Sequence, residues 1–589
     1  MAALDSSDSG SDDAAAEAGQ QGTGEKVPAE REEVSAERGD EASQVEAKRP
    51  RNRMRRATIA ASLAVIGAGY LQWNATKTDH QFSNMGTVVL CFVLGCYILF
   101  QLHCLARVRW NVLVVPMAIV FAMVVAVTMF RFEGFSGELV PQYAYRFGSP
   151  PPAMRTVEDS TGTQLDDGLN GLVAGSQAAI APSYGFLGGE RTGVIATRDF
   201  SVPASVDEVQ TLWRQGLGAG WSAFAVSGDR AVTLEQRGDE ECLTCYRLAD
   251  GKLLWIVKHD ALHQNLMGGV GPRSTPTIVG DRVFAQGATG TVWCVDMKSG
   301  EVVWNVELLA LAGWEQLESE EMISWGRAAS PLVIDGTTCV VPFGGPAASS
   351  ETGRSLIALN AASGAVLWTA GKGQISYASP TLLNFAGKRQ IVSVNERTIT
   401  GHEVDDGSVL WEVDWPGQSN GSANCAMVVP VGENRFLVGK GYGGGSGLYE
   451  VTESEGKWTA QDLWKSSRVL KTKFTHAAVV GDIAFAISNG SLEAVDISGG
   501  ERLWIQGRRT RLGQGQILVA GDVIIGQAEG GEVVFIAADP NEYRELLRMP
   551  ALNAKTWNVP TLAGRHLLVR NDREVICFLL PELEAQSGE

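Results

Sequence analysis

Nine side chains suited to binding stand just before, or at the start of, short apolar strands. They are Arg273 in GPRSTP, Trp325 and Arg327 in SWGRAASP, Tyr377 in ISYASP, Asn424 in SANCA, Lys473 in KTKFTH, Gln516 in GQGQ, and Trp557 and Asn558 in KTWNVP. Cations without matching carboxylates, set beside aromatic rings and amides, suit an anionic or quinone-like ligand, or a peptide. The alternative is that such groups satisfy one another and ordered water. No catalytic and no metal-ligating residue is assigned.

Three other motifs are weaker. CLTC (Cys242–Cys245) has the spacing of redox and zinc sites, but residues three apart on a strand point to opposite faces and no second C-x-x-C completes a metal site. HDALH (His259–His263) has a metalloprotease-like spacing that works only on a helix, and here it falls in a connection between strands. GYGGGSG (Gly441–Gly447) precedes no helix pattern, so it reads as an interstrand loop and not as a phosphate cradle.

The elements that would hold the nine residues are repeated. Five 14-mers end in Trp with Gly four residues earlier: CLTCYRLADGKLLW to Trp255, TVWCVDMKSGEVVW to Trp304, SLIALNAASGAVLW to Trp368, TITGHEVDDGSVLW to Trp411 and SLEAVDISGGERLW to Trp504. Alternation of apolar and polar residues marks a half-buried strand, the Gly marks a tight turn, and G-x-x-L-W opens the returning strand. Upstream of each hairpin lies a second apolar pair turning at G-D or D-G, as in STPTIVGDRVFAQG (Ser274–Gly287). Four antiparallel strands per unit is a propeller blade.

First strands begin near Trp221, Ser274, Ser330, Ser379, Asn424, Thr475, Gln516 and Asn558, which predicts eight blades. Blade-end tryptophans are Trp213, Trp255, Trp304, Trp368, Trp411, Trp464 and Trp504, read as packing between blades and not as cofactor-stacking groups. The last blade lacks a fourth strand while QTLWRQG (Gln210–Gly216) is an orphan, so pairing the two closes the ring and removes exposed edges. First strands line a propeller's channel. The nine residues should therefore meet at one mouth of it.

The N-terminal part has a different composition. Residues 1–50 are expected to be a disordered, acidic cytoplasmic tail; thirteen Asp or Glu through Glu46 face Lys26, Arg31 and Arg38, which is about ten of the net charge of −18. The acidic balance therefore says little about the folded part, and nothing supports a nucleic-acid surface. KRPRNRMRR (Lys48–Arg56) then precedes three uncharged apolar spans within residues 51–131, at 57–73, 85–106 and 111–130, each long enough to cross a bilayer as a helix. Positive charge before the first span and in ARVR (Ala106–Arg109) puts the N-terminus inside and everything after the third span outside. Residues 132–185 read as a linker, 186–582 as the propeller and 583–589 as a tail. Of nine cysteines, six are scattered through the exported part and assign no disulfide framework.

The repeat resembles the pyrroloquinoline-quinone (PQQ) propeller repeat, whose consensus runs A-x-D-x-x-T-G-x-x-x-W, and FLGGERTG (Phe186–Gly193) is similar to the lead-in segment of such proteins. The resemblance implies an all-β, eight-bladed PQQ-like propeller, preceded by the tail and the three transmembrane α-helices. It extends to two groups: quinoprotein alcohol dehydrogenases, which hold PQQ and calcium in the channel, and BamB-like scaffolds of outer-membrane protein assembly, which hold neither. The adjacent cysteine pair and calcium ligands expected of a dehydrogenase are missing. The expectation is thus a non-catalytic binding or scaffold module, multi-pass in an inner membrane with its propeller in the periplasm, with a protein or cell-envelope partner and no cofactor. The alternative is a PQQ-dependent dehydrogenase with its quinone in the channel.

Overall fold

Each 14-mer ending in Trp forms the third and fourth strands of one sheet. In the second sheet, Thr277–Val279, Arg282–Gln286, Thr291–Asp296 and Val302–Glu307 pair in that order, each antiparallel to the last. Eight sheets of this kind follow around the ring, as expected, with first strands Ala225–Ser227, Thr277–Val279, Leu332–Ile334, Thr381–Phe385, Val429–Val431, Ala477–Val480, Gln516–Ala520 and Thr561–Ala563. We number the blades I to VIII in that order. This computed structural model describes residues 80–105, 125–147, 182–346 and 355–583, with short helical pieces between 56 and 71 and at 121–122.

Closure is the predicted one. Gln210–Gly216 pairs antiparallel with Glu574–Leu579 as the fourth strand of blade VIII, with Trp213 opposite Cys577. Arg214 seals it with an ion pair to the buried carboxylate of Glu574 at 2.5 Å. Blade VII gains a fifth strand, because Val194–Ile195 runs parallel to Gln516–Ala520.

The core lies between blades. Each main apolar cluster draws on two neighbours: Val292, Cys294 and Trp304 of blade II pack with Cys339, Val341, Ile357 and Leu359 of blade III. The Trp and Gly of the repeat explain this seam. Trp304 donates through Nε1 to the Ala361 carbonyl of the next blade at 2.9 Å, and Trp213, Trp255, Trp464 and Trp504 repeat that bond to Leu248, Met297, Ile497 and Asp539. The turn glycine lies flat under the ring. At Gly300, φ is +76° and an added Cβ would sit 2.6 Å from Trp255, so both the backbone and the space require glycine.

Trp368 keeps the glycine contact, with an added Cβ at Gly407 2.5 Å from its ring, whereas Trp411 departs from the pattern. Blade V carries long third and fourth strands, Gly445–Ser454 and Lys457–Ser466, which carry its turn away from the position the other blades share. Trp411 instead stacks on Phe436, 5.5 Å away, which stacks on Tyr449 at 5.1 Å. Its Nε1 donates to Gln390 within its own blade.

Two N-terminal expectations change. Among the described residues no helix is long and apolar enough to cross a membrane, so the three transmembrane helices over 57–73, 85–106 and 111–130 are not supported. A 26-residue helix, His80–Leu105, covers nearly all of the second span. Residues 111–120 and the acidic tail 1–50 lie outside the described residues. The segment read as linker, 132–185, is not all irregular: Phe130–Phe135 and Pro141–Tyr145 form a β-hairpin. Residues 148–181 lie outside the described residues.

Candidate functional site: an aromatic cup at the channel mouth

Because each first strand starts at the same end of the ring, the connections that feed them gather there, around a cavity of about 620 Å³. That volume is in the range of small-molecule and side-chain pockets. One wall is an aromatic arc: Trp221 and Trp557 lie 4.8 Å apart, and Phe474 lies 5.1 Å from Trp557. A second wall pairs Trp325 with Tyr377 at 5.2 Å. Met267, Gly268, the loop from Gln418 to Ser422 and Tyr442 complete the sides.

Three of the rings are held by their polar atoms. Trp221 Nε1 donates to the Gly268 carbonyl at 2.6 Å, Trp557 Nε1 to Glu529 at 2.9 Å, and the Tyr377 hydroxyl to the Ser419 carbonyl at 2.9 Å. Gln516 Nε2 donates to the carbonyls of Phe474 and Trp557, bridging two blade starts. Such anchoring leaves the ring faces for apolar contact.

The cup has a floor. The lead-in FLGGERTG enters the ring, and Arg191 is buried with its guanidinium donating to the carbonyls of Pro331, Ser330 and Pro380, in blades III and IV. Leu187 and Arg191 adopt positive φ, +62° and +57°, to make this bend. Phe186 then meets the His476 ring edge-on at 5.1 Å, and both line the cavity.

The electrostatics of the cup are set by one cation and by burial. Arg273 supplies a cation in the wall; burial brings it down only to about 10, so it stays charged at neutral pH, and its two terminal nitrogens already serve the Gly271 and Gly268 carbonyls. Among the described residues no carboxylate lines the cup. Burial pushes the Cys425 thiol up to about 12, and burial together with Arg191 pulls His476 down to about 4. At neutral pH the one is a thiol and the other a neutral imidazole, which makes no thiolate–imidazolium pair.

Of the nine predicted residues, Arg273, Trp325, Tyr377, Gln516 and Trp557 line the cup. Arg327, Asn424, Lys473 and Asn558 are buried outside it. Arg327 turns the other way, donating to the Pro342 carbonyl at 3.1 Å with its guanidinium 5.7 Å from the Trp314 ring. Asn424 and Asn558 tie the connections together, Asn424 through the carbonyls of Asn395, Glu396 and Trp415 and Asn558 through that of Ser222. Alternation along an extended segment sends one neighbour into the cup and the next into the wall, so Phe474, beside Lys473, is the lining residue there. Tyr442 also went unread, because it sits in the glycine-rich turn; its φ is +55°. The weaker motifs stay structural: Cys242 and Cys245 are buried in blade I, and His259 pairs with Thr291 at 2.9 Å. Among the described residues no group of three or more His, Cys, Asp or Glu side chains could hold a metal.

The family described as outer membrane protein assembly factor BamB matches residues 198–345 and 312–539, more than half of the sequence. The chain belongs to that family. BamB of Yersinia pestis is 23% identical over 309 residues, 52% of this chain and 68% of that protein. Among solved structures, BamB from Moraxella catarrhalis is 17% identical and covers 63% of this chain and 84% of its own (TM-score 0.30). The quinohemoprotein alcohol dehydrogenase ADHIIG from Pseudomonas putida HK5 is 12% identical and covers 69% and 81% (TM-score 0.47). The family membership is that of a PQQ-repeat propeller.

Proposed function

We propose that this protein is a non-catalytic binding propeller of the cell envelope, anchored at the membrane, whose cup takes an aromatic or apolar peptide segment of a protein partner. The observation that carries the reading is the cup itself: two aromatic walls, an aromatic floor and one guanidinium, with no carboxylate. Membership of a family described by outer membrane protein assembly supports a protein partner. Anchoring is supported by the sequence, through the basic run Lys48–Arg56 before the apolar spans 57–73, 85–106 and 111–130, with the propeller on the periplasmic side.

PQQ fits the cup poorly. A tricarboxylate held with calcium needs several cations and a carboxylate cage, whereas the cup offers Arg273, already bonded to two carbonyls, and no carboxylate. No step is derived through a quinone.

A synthetic ten-residue β-strand peptide with alternating Phe and polar residues tests the reading. Titrated into the full-length protein, it should shift the tryptophan emission saturably, and Trp325→Ala should weaken binding about tenfold, which is about 1.4 kcal/mol. No saturable shift with that peptide overturns the reading; a rise in melting temperature on adding PQQ with calcium would support the dehydrogenase in its place.

A further inference from the structure

The hairpin Phe130–Phe135/Pro141–Tyr145 has two unlike sides. Its tip is fixed to the mouth on blades VII and VIII. The Gly137 amide donates to Glu529 at 2.5 Å, Lys555 donates to the Phe135 carbonyl at 3.2 Å, and Glu138 pairs with Arg511. Ser136, Gly137 and Leu139 thereby roof part of the cup. Away from the tip, Phe132, Tyr143, Tyr145 and Phe147 are exposed, Tyr143 to 65% and Phe147 to 71%. They make edge-on contacts in two pairs: Phe132 to Tyr143 at 5.7 Å, Tyr145 to Phe147 at 5.7 Å.

An aromatic cluster this exposed on a two-stranded ribbon wants a covering surface. The sequence says which: the ribbon follows directly on the uncharged apolar span 111–130, and Arg131 and Arg146 flank it. Clustered Phe and Tyr rings beside arginine at the end of an apolar span are the composition of a membrane–water interface.

We propose that the aromatic side of this hairpin lies in the interfacial layer of a phospholipid bilayer, so that the propeller's cup faces the membrane. The inference rests on the membrane-anchored reading above and adds an orientation to it. The hairpin is short and clamped to blades VII and VIII, so it holds the mouth near the lipid surface and turns away the opposite ends of the blades. A segment reaching the cup then arrives along the membrane.

Site-directed spin labels on the full chain, reconstituted in phosphatidylcholine/phosphatidylglycerol vesicles, test this. With Cys91, Cys96 and Cys104 replaced by Ser, single labels go on Val93→Cys, Tyr143→Cys, Leu266→Cys and Asp281→Cys. Leu266 stands exposed in the Gln264–Val270 hairpin at the mouth, and Asp281 in the first turn of blade II at the far end of the ring. The expected result is a several-fold higher ratio of oxygen to nickel-chelate collisions at 143 than at 281, and stronger broadening by headgroup-bound nickel at 266 than at 281. Water-like collisions at 143 with oxygen-favoured collisions at 93 would leave anchoring standing and overturn the orientation. Water-like collisions at 93 would overturn both. Dipolar coupling between two 143 labels, or broadening at 281 that exceeds 266, would also overturn the proposal, the first in favour of a second copy covering the ribbon.

Discussion

At the outer rim of the ring, five blade-end tryptophans make the same bond to the next blade. At the mouth, the starts of the blades present Trp221, Arg273, Tyr377, Cys425, Phe474, Gln516 and Trp557, with no shared pattern. Both regions are built from the same repeated sheets. Seams between blades pose the same packing problem, and five of them accept the same Trp–Gly answer, at Gly251, Gly300, Gly364, Gly407 and Gly500. The mouth only has to fill one cup, which needs unlike groups at equivalent places. Regularity marks architecture here, and its breakdown marks the site. Trp411 shows the rule from the other side, since lengthening one hairpin of blade V replaced the Trp–Gly contact by a stack of three rings.

Substitutions can break this contrast. The largest effect is expected from Trp304→Ala, which empties a buried seam and should cost about 3–5 kcal/mol in denaturant unfolding while leaving peptide binding at low temperature intact. Loss of binding without loss of stability would contradict the division.

Next is a polar part of a seam. Glu241 of blade I accepts from the Ala288 amide of blade II at 2.8 Å, and burial raises its carboxyl from 4.5 to about 7. A carboxyl with a raised folded-state pKa contributes stability that is present below about pH 4.5 and is lost as pH rises through about 7. That loss is worth about 3 kcal/mol. Glu241→Gln should flatten the stability profile between pH 5 and 8, relative to the parent, in parallel melting curves.

Smaller again is the difference between two glycines. Gly280, with φ +58° and nothing within 4 Å of an added Cβ, should lose about 1 kcal/mol on change to Ala from backbone strain alone. Gly300→Ala adds the collision with Trp255 and should lose about 2–3 kcal/mol. Equal losses would mean that the Trp–Gly contact has slack. The smallest effect on stability, under about 1 kcal/mol, is expected for Trp325→Ala, whose half-exposed ring serves the cup; its readout is the peptide affinity.

Most of the frame was legible because its rules are local. Period-two alternation, a glycine four residues before a tryptophan and an orphan strand at the far end of the chain sufficed for eight blades and the closure of Gln210–Gly216 on Glu574–Leu579. The site was legible only as a neighbourhood. Reading the starts of the first strands found Arg273, Trp325, Tyr377, Gln516 and Trp557. It could not separate them from Arg327, Asn424, Lys473 and Asn558, because an irregular connection has no fixed period to say which side chain faces in.

By itself, then, the sequence determined the repeat, the number of blades, the seam chemistry and the place on each blade where a site would lie. Tertiary structure alone decided that the channel is closed into a cup, since the floor and the roof come from elsewhere in the chain. Arg191 reaches carbonyls in blades III and IV, Phe186 reaches the His476 ring, and Gly137 reaches Glu529 across 392 positions of sequence. No local pattern encodes contacts of that separation, because they depend on where the folded ring leaves unpaired carbonyls and carboxylates for a distant segment to satisfy.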